Sequence, residues 1–226
     1  MPAQSTDRSL TLERGLRVLR VLGDHPDGLT VSQLAEELGT HRAGIYRMLV
    51  PLTDERYVIK RPDGRHTLGV GLLELASRVR PQLQEVAVPE LRRLADELRA
   101  TTALTIRDGE EAVTAAVVEP RSTDMHIAYR TGLRHPIDVA ASGMAILAGC
   151  APRAGERKEV REARRRGYAR SSGELLIGAT GVAAPIVIGD RDPEASISAV
   201  WVDSRDDRAA ALAVMRTARA IGAALR

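Results

Sequence analysis

The side chains best equipped for chemistry in this sequence are gathered in one segment, His41, Arg42, Tyr46 and Arg47. All four fall on the exposed face of a short amphipathic helix. A guanidinium there can donate two parallel hydrogen bonds to a guanine edge or a phosphate. The chemistry is recognition of a polyanion, not bond cleavage. Lys60, Arg61 and Arg65 follow within the next twenty residues. From residue 41 to 65 six Lys/Arg stand against three acids, a local excess of positive charge.

These groups need a scaffold, and the surrounding pattern supplies one. Leu34, Ala35 and Leu38 share one helical face; Ile45, Met48 and Leu49 share the next. Thr30 followed by Gln33 fits a capping box, which predicts a helix starting at Val31. Gly39 stands where a left-handed residue would end it. Helix, tight turn and basic second helix make a helix-turn-helix, whose second helix lies in the DNA major groove. Tyr57 to Arg61 and Arg65 to Leu68 then flank Pro62-Asp63-Gly64, a hairpin whose tip carries Lys60, Arg61 and Arg65. The whole is a winged helix-turn-helix. Thr30, Ser32 and Ala43 complete the expected DNA-contacting set. Arg42 is assigned to the groove, Arg47 to phosphate or fold support, and the wing to phosphates or a minor groove.

Composition narrows the class. The 226 residues allow one large or two small domains, with net charge only +3. Lys60 and Lys158 are the only lysines among 33 basic residues. The arginine excess with abundant alanine is attributed to genome composition, so the DNA argument rests on where arginines sit. One cysteine, Cys150, excludes an intrachain disulfide, and the five histidines show no paired metal spacing. No metal or cofactor is expected. The polar start and the lack of a long apolar run lead us to expect a cytoplasmic protein with no membrane partner. Four Tyr, one Trp and no Phe argue against stacking platforms for single strands.

Along the chain, a first helix is expected over Ser9 to Gly23 and another over residues 70–80, cut by Pro81. The apolar load of the second exceeds what a linker needs; packing against a second copy, or on the same chain, would absorb it. Beyond Pro81 come an amphipathic helix around Val88 to Leu98 and apolar runs at Ala103 to Ile106, Ala112 to Val118 and Met125 to Tyr129. A short buried helix is expected at Ala140 to Leu147 and a charged one at Glu156 to Arg166. Strands at Val182 to Ile188 and Ala195 to Val202 and a final helix from Arg208 complete the chain. This grouping predicts an α+β domain, an antiparallel sheet with flanking helices. The expected division is 1–69 (DNA-binding), 70–81 (linker helix) and 82–226 (effector-binding).

In this order, Ser9 to Leu16, Gly28 to Ala35, Tyr46 to Leu49, Gly64 to Gly69 and Leu91 to Ala95 resemble the IclR family of bacterial transcriptional regulators. Gly132 to Pro136, Ala141 to Ala145, Arg166 to Ala169 and Val182 to Pro185 extend the likeness over nearly the whole chain. The resemblance implies a GAF-like C-terminal effector domain and homodimers or homotetramers on palindromic double-stranded operators. The family's recognition helix usually opens with a Ser-Thr pair where this chain has Ala43-Gly44, so Arg42 and Arg47 must carry more of the contact.

The resemblance also places an effector pocket at Ala140, Ala141, Ser142 and Gly143. Small residues opening a helix leave free N–H groups suited to a carboxylate; they equally permit tight packing against a strand. An Asp and a Cys found in some members' pockets correspond here to Ser171 and Gly181. Ser198 is retained and Val200 replaces its neighbour. Relative to those members the pocket is therefore expected to have lost an ionisable group and to have gained space, which suits a small organic acid with an apolar body. Met125, Ile127, Tyr129 and His135 are expected to line it too. Two other readings stay open: an enzyme on the same α+β domain, and an architectural DNA-binding protein with a ligand-free dimerisation domain.

Overall fold

The computed structural model describes residues 9–121, 129–202 and 206–226. It divides into two compact units, residues 1–80 and 81–226.

In the first unit, α1 (Leu10–Asp24), α2 (Val31–Glu37) and α3 (Arg42–Asp54) are followed by a hairpin of β1 (Val58–Lys60) and β2 (His66–Leu68) and by α4 (Gly71–Ser77). Ser9 caps α1 and Thr30 caps α2, with Gln33 completing the reciprocal box. Val18, Leu22, Leu34, Ile45, Met48, Leu49 and Val58 form one buried cluster, so both apolar helical faces read from the sequence meet each other and the hairpin. Leu29 pairs with His66 across the base of the wing. Gly28 makes this possible: at φ +75°, a Cβ there would lie 2.6 Å from the His66 carbonyl oxygen. The Gly69 and Gly71 N–H groups donate to the Tyr57 and Arg56 carbonyls, which fastens the start of α4 to this unit.

The second unit begins with α5 (Pro81–Leu98). Pro81 opens this helix, a position where its missing N–H is harmless, and the helix continues through Pro89. Six antiparallel strands follow in the spatial order β5-β4-β3-β8-β7-β6: β3 (Thr101–Asp108), β4 (Glu111–Val118), β5 (Arg134–Pro136), β6 (Ala169–Ser172), β7 (Thr180–Pro185) and β8 (Ala195–Trp201). Between and after them lie α6 (Ala140–Gly149), α7 (Lys158–Arg166) and α8 (Asp207–Ala224). The apolar run at Met125 to Tyr129 falls almost wholly outside the described residues. β5 and β6, the two edges of the sheet, were not anticipated: three and four residues with polar members carry no readable alternation.

The central strands sort their side chains by the period of two. Val182, Ala184, Ile197, Ala199 and Trp201 join α5 and α8 in the larger core. Ala183 and Ala169 face α6 and α7 in a second cluster with Met144, Ile146 and Val160. The sheet thus lies between two helical layers. Helix α6 is buried along its length from Ala140 to Ala148, and Gly143 fixes how close it comes to the chain before it. A Cβ at Gly143 would sit 2.1 Å from the Ile137 carbonyl oxygen.

Candidate functional site

Each unit carries one candidate site. On α3, Ile45, Met48 and Leu49 point into the core, which leaves His41, Arg42, Ala43, Tyr46 and Arg47 exposed together. Tyr46 is 58% exposed, and Val50, one turn on, is 60% exposed. His41 occupies the N-cap of α3 without capping it through its side chain. The first N–H groups of α3 therefore have no side-chain acceptor at an exposed helix start, which is favourable for a phosphate. Gly44 stands under Thr40, whose hydroxyl would lie 3.3 Å from a Cβ there. Ser32 is exposed on α2, whereas the Thr30 side chain is committed to the capping box.

The wing arginines have partners within the chain. One Arg65 Nη1 donates to the Gly28 carbonyl at 2.9 Å and to Gln33 Oε1 at 3.3 Å. Arg61 Nη1 donates to the Asp27 carbonyl at 3.4 Å. Arg65 thus braces the wing against the turn that precedes α2, a role beyond the expected phosphate contact. Lys60 is exposed at the end of β1. Beneath the wing His66 is 5% exposed, and burial, then the nearby Lys60 charge, hold its pKa below the ordinary value, against a raising contribution from the Leu29 backbone hydrogen bond.

In the second unit a small cavity opens at the N-terminus of α6 and leaves about 30 Å³ of free space. That is room for one or two waters. Ala140, Ala141 and Ser142 form its helical wall; Ser171, Gly181, Ser198 and Val200 come from the neighbouring strands β6, β7 and β8. Adjacent pairing explains the convergence, since Ser171 pairs with Gly181 and Gly181 with Val200. Tyr129 closes one side, its phenol pKa raised by burial against the lowering influence of the Thr114 and Ser142 hydroxyls. Ser196 Oγ donates to the Ser142 carbonyl at 2.8 Å and pins α6 to β8.

Three expectations need correction. His135 does not line the cavity: it is buried behind the wall, with Nδ1 2.9 Å from the Pro136 carbonyl and Nε2 3.3 Å from the Ser142 hydroxyl. Gly143 does not line it either, because its absent side chain serves the contact with Ile137. The cavity also keeps an ionisable group. Glu174, three residues beyond Ser171, puts its carboxylate on the Ala140 N–H at 2.8 Å. Arg157 holds that carboxylate through Nη2–Oε1 at 3.2 Å and Nη1–Oε2 at 3.3 Å. Met125 and Ile127 lie outside the described residues. Glu174, Arg157, Leu175, Leu176 and Ala179 were missed. A signal existed in Gly173 and Gly178, which bracket an apolar segment with one acid.

Elsewhere the chemistry is structural. Cys150 is 7% exposed, its thiol donates to the Ile146 carbonyl at 3.3 Å, and burial raises its pKa. The charged helix α7 does not turn all its arginines to solvent. Arg164 turns inward, paired with Glu156 at 2.8 Å and donating to the Leu147 carbonyl at 3.0 Å, so it closes the C-terminal end of α6. That hydrogen bond holds the Glu156 carboxyl below its ordinary pKa. Among the described residues no cluster of His, Cys, Asp and Glu could hold a metal ion, and no helix is long and apolar enough to cross a membrane.

Comparison with known proteins finds two family matches in the chain. Residues 11–62 match the IclR helix-turn-helix domain, and residues 76–156 match the bacterial transcriptional regulator IclR C-terminal domain. Together the two matches cover more than half of the chain. The HTH-type transcriptional regulator Rv1719 of Mycobacterium tuberculosis is 34% identical over 143 residues, which is 62% of this chain and 54% of that protein. The chain thus spans about half the length of that curated relative. The crystal structure of an IclR transcriptional regulator from Alicyclobacillus acidocaldarius superposes with a TM-score of 0.79 at 25% identity, covering 97% of this chain and 100% of the other. An IclR homolog from Microbacterium hydrocarbonoxydans, complexed with 4-hydroxybenzoate, gives a TM-score of 0.82 at 22% identity over 96% of this chain and 99% of that one. These relatives are transcriptional regulators and not enzymes, which removes the enzymatic reading. With both domains matched in order, the chain belongs to the IclR family of transcriptional regulators.

Proposed function

We propose that this chain is a ligand-responsive repressor that binds a palindromic operator as a homodimer or homotetramer, with a small organic acid as effector. The observation that carries the reading is the exposed face of α3, where His41, Arg42, Ala43, Tyr46 and Arg47 stand together over a fully buried opposite face. Arg42 reads a base edge in the major groove; Arg47, Lys60, Arg61 and Ser32 contact phosphates, Arg65 after bracing the wing. A two-fold dimer then covers two half-sites about one helical turn apart. The dimer contact is assigned to apolar side chains that the first unit leaves in solvent. Leu12 is 62% exposed, Leu16 53% and Leu73 70%.

The acid effector is supported by the N–H groups at the start of α6 and by the neutral hydroxyls of Ser171 and Ser198 beside them. The Microbacterium homolog, which is complexed with 4-hydroxybenzoate, makes that acid a suitable first probe. In the test, gel-shift titrations of a duplex selected from random sequence compare wild type with Arg42→Ala. Relaxed preference at one base position is expected; unchanged preference refutes the assignment of Arg42. A second reading, an architectural protein with a ligand-free domain, draws on the small size of the cavity. It gains if no acid produces a saturable thermal shift while operator binding is intact.

A further inference from the structure

The start of α6 is built for an anion, and an anion from the chain already sits there. Ala140 has φ +61°, a left-handed backbone that an alanine adopts only when its surroundings hold it there. Followed by the helical Ala141, it turns successive N–H groups toward one point, the geometry of an anion-binding nest. Glu174 Oε2 accepts from the Ala140 N–H at 2.8 Å, and Ser171 Oγ accepts from the Ala141 N–H at 2.9 Å. Arg157, anchored on the Asp138 carbonyl at 2.8 Å, supplies the countercharge to Glu174. Beside this cap, Ser198 lines the same cavity at 2% exposure, and its hydroxyl has no hydrogen-bond partner within the chain. A buried hydroxyl left unpaired points to a polar ligand that Glu174 does not replace.

We infer that Glu174 is a built-in competitor for the effector site, and that a small carboxylate binds by exchanging with it, taking over the Ala140 N–H and Arg157 and reaching Ser198. This rests on the acid-effector reading above. The segment carrying Glu174 is suited to withdrawal. It runs from Gly173 (φ +72°) to Gly178 (φ +80°), and its base is closed by the Gly173 N–H on the Ala179 carbonyl at 2.8 Å. Leu175 and Leu176 line the cavity from this segment, so its departure removes part of the wall and enlarges the space. The exchange replaces one carboxylate by another, so the cradle keeps its charge. It favours monoanions over neutral or cationic analogues of the same shape, and it makes the unliganded site small without making it weak.

The test uses the full chain, with acetate and benzoate as probes and acetamide as the neutral control. Readouts are thermal stability and the fluorescence of Trp201, the lone tryptophan, which follows Val200 on the cavity-lining strand. Glu174→Gln keeps the shape and removes the charge; Glu174→Ala empties the cradle. Both are expected to bind benzoate about tenfold tighter than wild type, because the competent state no longer has to be vacated first. Acetate should restore the stability of Glu174→Ala saturably, and acetamide should not. Gly181→Leu, which fills the cavity, should abolish binding in every background. Should Glu174→Ala fail to fold, Glu174→Gln carries the test alone. Equal or weaker benzoate binding by Glu174→Gln, with binding still lost in Gly181→Leu, overturns the exchange and leaves the acid reading standing. Failure of wild type and both Glu174 variants to bind any carboxylate overturns both.

Discussion

Two helix starts in this molecule pose the same electrostatic problem and resolve it differently. Neither α3 nor α6 is capped by the side chain of its own N-cap residue, His41 in one case and Val139 in the other. At α3 the neighbouring surface is exposed and basic, so the free N–H groups and Arg42 remain available to an outside partner. At α6 the same groups are buried and met from within, by Glu174 and Ser171. An open helix start costs little in water and is ready for phosphate. A buried one must be satisfied in the unliganded state, and whatever binds there must compete. One site is thus a standing surface, and the other is regulated by its own occupant.

The open site should be the more sensitive to single truncations. Arg42→Ala is expected to weaken operator binding by about 1–3 kcal/mol and to relax preference at one base position. Arg61→Ala should weaken all duplexes alike and flatten the salt dependence, which a salt titration resolves. A variant that reverses these two patterns would show that the wing, not α3, reads sequence.

Arg164→Ala sharpens the other side of the comparison. It removes charged hydrogen bonds at the far end of α6, and the second unit should lose about 2 kcal/mol in denaturant unfolding. Operator contacts made by α3 should be untouched. Arg65→Ala should do less to stability, about 1 kcal/mol, since the side chain is 38% exposed. It should nonetheless lower both the melting temperature of the first unit and DNA affinity, because the brace on Gly28 and Gln33 goes with the charge.

The smallest expected effect is a pH dependence confined to the first unit. The folded state holds the His66 pKa below its unfolded value of about 6.5. Stability from this group is present above that value. It falls as pH drops below it, where the unfolded chain binds the proton that the folded one refuses, and levels off below the folded pKa. Unfolding at pH about 7.5 and about 5.5 should show the loss, and His66→Gln should remove it.

The first site was legible because its determinants are local. Thr30, Gln33 and Gly39 punctuate two helices, and the burial of Ile45, Met48 and Leu49 dictates which others must be exposed. What the sequence hid there was the inward use of Arg65, since a hydrogen bond between residues 65 and 28 depends on how the wing folds back. The second site is assembled from α6, β6, β7 and β8 across more than fifty residues, and its wall residues share no periodic signal. The resemblance supplied Ala140, Ser171, Gly181 and Ser198 as candidates. It could not supply Glu174, which reaches the Ala140 N–H from a loop whose path only the fold determines. His135 and Gly143 were misplaced for a related reason: small or polar residues beside a cavity serve packing as readily as binding. The edge strands β5 and β6 escaped notice because three or four residues offer no alternation to read.

A DNA-reading surface and a self-occupied acid site are proposed on one chain, so the most direct measurement is operator affinity of the full chain with and without saturating benzoate. The predicted result is a change of about 1–3 kcal/mol, about 5- to 150-fold, in the dissociation constant, abolished by Gly181→Leu while its unliganded DNA affinity is unchanged. Identical operator affinity with the cavity demonstrably filled would contradict it.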